Sequence, residues 1–224
     1  NDHAARARFL LGAAAADRAA GRIEDASFRY AEAAEAFEMA RDYRRAAKAL
    51  VEQGTMHWQD GRPLDARPPF ERALAWLERV GDVAAQANAL MVLGYIAGQE
   101  DTAREAEAYY LKATRLLDGQ EGMHLARAQA HYALGRTFAE QGRYQEACDE
   151  YSRALDAFSA TGDTEGRLQA YRALGQACLR MNDRERAVEV LERAAQLEER
   201  APFGLDATMD LLRVYMKERR WQDA

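Results

Sequence analysis

The sequence predicts an all-α fold in which antiparallel helix pairs stack into a solenoid, and three observations carry that prediction. Alanine makes up about a fifth of the 224 residues and proline only four positions, a bias toward helix that leaves little material for strands. One pattern recurs along the chain about every 40 residues, as repeat architectures require. Within each repeat the apolar positions step by three and four residues and break near the middle, so each unit reads as two helices.

The repeat is defined by columns. Alanines stand at Ala26, Ala66, Ala106, Ala147, Ala187 and Ala224, and a second alanine follows seven residues after each of the first five, at Ala33, Ala73, Ala113, Ala154 and Ala194. A large residue lies between them, at Tyr30, Phe70, Tyr110, Tyr151 and Leu191. Twelve residues before the first alanine the column is small: Ala14, Gly54, Gly94, Gly135 and Gly175, with Leu212 in the last copy. A small residue midway along the first helix lets the second helix of the unit approach closely, and the large residue fills the remaining space. One unit alone exposes its apolar face, so neighbouring units must cover it.

Taken in order, the units span 3–41, 42–81, 82–122, 123–163 and 164–204, with a partial sixth at 205–224, together one solenoid over 1–224. The fourth is the clearest, with a first helix from Ala126 to Gln141, a turn at Gly142 and a second helix from Arg143 to Ala160. Gly21 and Gly61 hold the same turn, and Asp101 and Asn182 replace glycine there because both residue types tolerate the left-handed conformation. Pro68 and Pro69 fall where the second helix of the second unit should be, which predicts a late start near Ala66 or a kink. The sixth unit stops as its second helix should begin, leaving Met209, Leu212, Val214, Tyr215 and Trp221 without evident cover, and the chain starts without Met. More chain is therefore expected beyond these ends.

Composition and motifs exclude several classes of function. A net charge of −6 gives no general attraction for nucleic acid or an anionic membrane. No apolar run approaches the roughly 18 residues of a membrane helix. Cys148 and Cys178 have no CxxC spacing, which argues for a reducing, cytoplasmic setting and for buried inert thiols. Gly-Lys never occurs, so no phosphate loop is present. The four histidines belong to no metal motif, and His124 and His131, about 10.5 Å apart along one helix, read as partly exposed helix residues. No catalytic constellation, metal site or cofactor site emerges, and the chain does not read as an enzyme.

Leu134-Gly135, Phe138, Gly142-Arg143-Tyr144, Ala147, Tyr151 and Ala154 resemble a tetratricopeptide repeat, and the other copies follow the same frame. The usual period of that family is 34 residues. The longer period here resembles the repeats of kinesin light chain and of many bacterial signalling and transcription regulators. The resemblance implies a right-handed superhelix whose first helices line a concave groove that binds a peptide segment of a protein partner. Carried onto this chain, the groove residues are Lys48, Trp58, Asn88, Met91, Tyr95, Gln129, Tyr132, Arg136, Gln169, Arg172 and Gln176, accompanied by Val51, Thr55 and Leu179. Asn and Gln can serve the backbone of an extended peptide, arginines can grip carboxylates, and the aromatic residues supply anchors. The groove is expected to grade from apolar near Trp58 and Met91 toward basic near Arg136, Arg172 and Arg213, which suits a polar or acidic segment. The carboxylate clamp of chaperone-tail receptors in the family is not reproduced, because Val51, Glu52 and Thr55 accompany Lys48. Two alternatives stay open: a regulatory or sensor part of a larger bacterial regulator, with an intramolecular partner domain, and a self-assembly module joined through Val214, Met216 and Trp221.

Overall fold

The computed structural model describes residues 2–100, 102–199 and 206–222, except for the side chains of 217–222. Eleven α-helices and no strand occur among these residues. They are α1 (His3–Ala19), α2 (Ile23–Met39), α3 (Tyr43–Gln59), α4 (Pro63–Val80), α5 (Val83–Gln99), α6 (Ala103–Leu117), α7 (His124–Glu140), α8 (Tyr144–Ser159), α9 (Thr164–Arg180), α10 (Arg184–Glu198) and α11 (Asp206–Gln222). The helix pair of the fourth repeat thus lies within two residues of its expected place at either end.

Local sequence sets where the helices begin and end. Asp2, Asp42, Asp82, Asp163 and Asp183 each cap a helix, accepting the backbone N–H three residues on at 2.8–3.2 Å. At the other end the chain reverses through a left-handed residue, which is glycine at Gly21, Gly61, Gly81, Gly142 and Gly162. Asn182 takes this conformation as expected (φ 61°), and Arg41 takes it without any sequence hint (φ 57°). The expectation for Asp101 lies outside the described residues.

Of the two expectations for Pro68 and Pro69, the late start near Ala66 is not met, because α4 already begins at Pro63 and contains both. A proline is favoured in the first helical position. The two later prolines leave the carbonyls of Leu64 and Asp65 without intrahelical donors, and both of those residues are exposed, so water can serve them.

The chain forms two compact units that divide between Leu116 and Leu117. In the first, each helix from α1 to α5 packs on the next; in the second, α7 to α11 do the same. Connections of a few residues make such neighbours antiparallel pairs. The column chemistry operates as the sequence predicts. A methyl group on Gly54 would lie 2.7 Å from the Phe70 ring, and one on Gly94 2.7 Å from the Tyr110 ring. Gly135 and Gly175 stand against Tyr151 and Leu191, both at 2.8 Å. All five alanines of the second column are fully buried.

Candidate functional site

The packing that buries one face of each first helix leaves another face open at fixed positions. Lys48 on α3, Asn88 on α5, Gln129 on α7 and Gln169 on α9 are exposed, and each sits between two buried neighbours in the chain. One turn further, Val51, Met91, Tyr132 and Arg172 are half-buried. Another turn on, Tyr95, Arg136 and Gln176 are exposed and Thr55 is half-buried, as are Trp58 and Leu179. Repetition of one helix pair therefore places long polar and aromatic side chains at matching positions within each unit.

In the first unit the Trp58 and Tyr95 rings meet edge to face, with centroids 4.7 Å apart, which joins α3 to α5 across the open face. Elsewhere in this unit a cavity of about 400 Å³ is lined by Leu11, Ala15, Ala19, Tyr30, Lys48 and Glu52. Arg18 also lines it, donates to Glu52 at 2.7 Å and is held above the usual guanidinium pKa by hydrogen bonding to Tyr30 and by Glu52. Lys48 makes no ion pair, and Asn88 no side-chain hydrogen bond, among the described residues.

The second unit is polar on this face, and its arginines already face carboxylates. Arg172 donates to Asp206 at 3.1 Å and lies 3.8 Å from Asp210. Gln176 donates to Asp210 at 3.3 Å, Arg213 to the same carboxylate at 3.1 Å, and Arg136 lies 3.5 Å from Glu140. The expected grading toward basic is thus offset locally, because the first turns of α11 bring Asp206 and Asp210 onto α9. Gln129 makes no side-chain hydrogen bond among the described residues. On α11, Val214 is 5% exposed instead of uncovered, since it shares a face with the buried Ala207 seven residues earlier. Met209, Leu212, Tyr215 and Met216 are exposed, and the side chain of Trp221 lies outside the described residues.

One histidine departs from the sequence reading, and another, His57, is buried beside a serine. His131 is 5% exposed instead of partly exposed, and its Nδ1 meets a Glu150 carboxylate oxygen at 2.6 Å, while Arg153 donates to the other oxygen at 2.6 Å. His124 is half-buried beside Arg127. His57 is 6% exposed, with Nε2 2.8 Å from Ser27 Oγ and Nδ1 2.8 Å from an Arg62 nitrogen. A Ser–His contact suggests an activated nucleophile, but the polarity is reversed here. Arg62 can only donate, so Nδ1 accepts and Nε2 carries the proton that it donates to Ser27. Activation would need Nε2 to accept from the hydroxyl and Nδ1–H to face an acid. Burial and then the charge of Arg62 push the pKa of His57 down.

Repeat register is the signal that finds both histidines. His57 shares a column with Asp17, Ala97, Phe138 and Cys178, all buried, and His131 shares one with the buried Leu50 and Leu90. Among the described residues no group of three or more His, Cys, Asp or Glu side chains could hold a metal ion, and no helix is long and apolar enough to cross a membrane.

Family models described as tetratricopeptide repeat match residues 18–76 and 126–199. No curated protein matches the sequence. Solved structures share the fold at low identity. MamA is 20% identical with a TM-score of 0.67, covering 87% of this chain and 92% of that one. The apo form of RapI is 11% identical with a TM-score of 0.74, covering 97% and 85%. YrrB, described as a tetratricopeptide repeat protein with an unusual peptide-binding site, is 19% identical with a TM-score of 0.63, covering 90% and 89%.

Proposed function

Because the chain belongs to the tetratricopeptide repeat family, whose members serve generally as scaffolds for other proteins, we propose that it binds an extended polar peptide segment of a protein partner on the open faces of its first helices. The observation that carries this reading is the pair of unengaged amides, Asn88 in one unit and Gln129 in the other. Each is exposed at the same step of the repeat, next to large side chains: Met91 and Tyr95 follow Asn88, and Tyr132 follows Gln129. An amide offers both a donor and an acceptor to a peptide backbone, and a neighbouring aromatic ring supplies contact area at little entropic cost. Lys48, Trp58, Arg136, Gln169, Arg172 and Gln176 complete the two faces in this reading. Since Arg172 and Gln176 already bond the carboxylates of α11, an acidic segment would have to displace Asp206 and Asp210 there, and a polar one need not.

The test is selection of random displayed peptides on the 224-residue chain beside its Asn88→Ala, Gln129→Ala variant. A consensus enriched on the native chain and lost on the variant, with helical circular dichroism retained, is the expected result. The same consensus on both proteins would sink the reading. The exposed Met209, Leu212, Tyr215 and Met216 of α11 favour a second reading, self-association through that helix. Light scattering over a concentration series should then show a mass that rises in the native chain and stays monomeric in Met216→Glu; a native chain that remains monomeric at every concentration excludes it.

A further inference from the structure

The only two cysteines of the chain face each other across one helix contact. Cys148 on α8 and Cys178 on α9 have their sulfurs 3.9 Å apart, and both residues are free and fully buried. These helices belong to successive pairs of the second unit and pack directly together. We propose that Cys148 and Cys178 are a redox modification site that peroxide closes into an intramolecular disulfide, stapling α8 to α9.

Geometry comes first. A disulfide needs its sulfurs about 2 Å apart, so the pair must close by roughly another 2 Å, a displacement that side-chain torsion and a small helix shift can share. No other cysteine in the sequence competes for either sulfur. The two thiols are not equivalent in their surroundings. The contact, in which either sulfur can be the donor, holds the Cys178 thiol below its ordinary pKa, while the same contact and burial raise Cys148; the charge of Arg186 favours the thiolate of both. Cys178 is therefore the attacking thiolate and Cys148 the resolving thiol.

The chemistry balances with hydrogen peroxide as the oxidant, a molecule close to water in size that enters when the α8–α9 contact opens locally. The Cys178 thiolate attacks one peroxide oxygen, the O–O bond breaks, hydroxide leaves, and the sulfur becomes a sulfenic acid. Cys148 then attacks that sulfur, the S–O bond breaks, and water leaves as the S–S bond forms. In total two thiols and one peroxide give one disulfide and two waters, with two electrons passing from the sulfurs to the peroxide. The product bridges positions 30 apart in sequence, which restricts the unfolded chain and raises resistance to denaturant. Since α9 also carries Gln169, Arg172 and Gln176, the staple would steady part of the proposed peptide face; that consequence rests on the binding proposal, whereas the staple itself does not.

The experiment treats the reduced 224-residue chain with hydrogen peroxide under native conditions, then alkylates it in acid-quenched denaturant and maps its peptides without reduction. The expected result is that both thiols disappear together into one cross-linked peptide, that dithiothreitol restores them, and that the urea midpoint of the oxidised monomer lies above that of the reduced one. In Cys148→Ala the reaction should stop at a Cys178 sulfenic acid captured by a 1,3-dione. Thiols that stay alkylatable until the chain unfolds, or that pass to sulfinic and sulfonic acids without a cross-link, overturn the proposal. These readouts use no peptide ligand, so they stand or fall independently of the binding experiment.

Discussion

Each unit buries one histidine in a column otherwise built mainly from apolar residues, and the two are given opposite partners. In the first unit His57 has an arginine on Nδ1 and must present a proton to Ser27, whereas in the second unit Nδ1 of His131 faces the Glu150 carboxylate. The surrounding packing is the same device in both, a ring or branched side chain seated on a glycine. The comparison teaches that the repeat specifies shape strictly and polarity loosely: a buried polar residue is tolerated in a packing column wherever a second helix supplies its complement.

The shared device should give the largest effect. Gly135→Val places a branched side chain where even a methyl group lies 2.8 Å from the Tyr151 ring and 3.2 Å from the Ala147 carbonyl. The ring has only a packed interior to move into, so the expected cost is about 3 kcal/mol by chemical denaturation. Gly94→Val, against Tyr110, should cost a similar amount. A large disparity between the two would show that the units do not share one packing rule.

Next in size is the complement itself. Glu150→Ala leaves His131 buried without its acceptor and releases Arg153, at a cost of about 2 kcal/mol; Glu150→Gln, which keeps an acceptor, should cost less than half of that. Equal losses for the two substitutions would mean that the carboxylate charge, which both remove, and not an acceptor of the same shape, decides this position. A comparable effect is expected at Glu198, which is 3% exposed and accepts the N–H groups of Ala207 and Thr208 at 2.6 and 2.9 Å at the start of α11. Glu198→Ala should cost about 1–2 kcal/mol, and hydrogen exchange should accelerate in α11 ahead of the helices before it. Uniform acceleration over the second unit would assign Glu198 to global stability.

His57 sharpens the contrast through pH. Its folded pKa lies below the ordinary histidine value of 6.5, so the folded state binds fewer protons than the unfolded state between those two values. The associated stability is complete above pH 6.5 and is lost as pH falls from there through the folded pKa. The urea midpoint of the native chain should therefore drop on acidification below pH 6.5, and His57→Gln, which keeps a donor to Ser27, should flatten that dependence. A native slope that survives in His57→Gln would place the titrating group elsewhere.

How much of this was legible in the sequence follows from what repeats. The helix pairs, the glycine contacts and the alanine columns recur, so register alone exposed them. Arg41 in a left-handed turn and the continuous α4 did not, because the first breaks a residue preference and the second depends on a helix start that only Pro63 signals. The exposed positions of Asn88, Gln129 and Gln169 followed from the same frame, but the pairing of Arg172 with Asp206 and Asp210 did not. Those aspartates belong to the copy of the repeat that departs most from the pattern, where columns no longer say which side chains meet. His131 was readable in principle, since its column is leucine in three earlier copies, yet only the second helix reveals that Glu150 makes its burial tolerable.

The smallest effect on stability is expected at the two amides, and that is what makes them informative. Asn88 and Gln129 are exposed and engage no side-chain partner among the described residues, so replacing either by alanine should change the denaturation midpoint by no more than about 0.5 kcal/mol. Alanine is the better helix former, and a slight gain would be as consistent as a slight loss. The amides then contribute nothing to the fold that an alanine does not. If Asn88→Ala or Gln129→Ala instead costs more than 1 kcal/mol, the amide has a structural partner, and loss of peptide capture in the double variant could no longer be assigned to the open face.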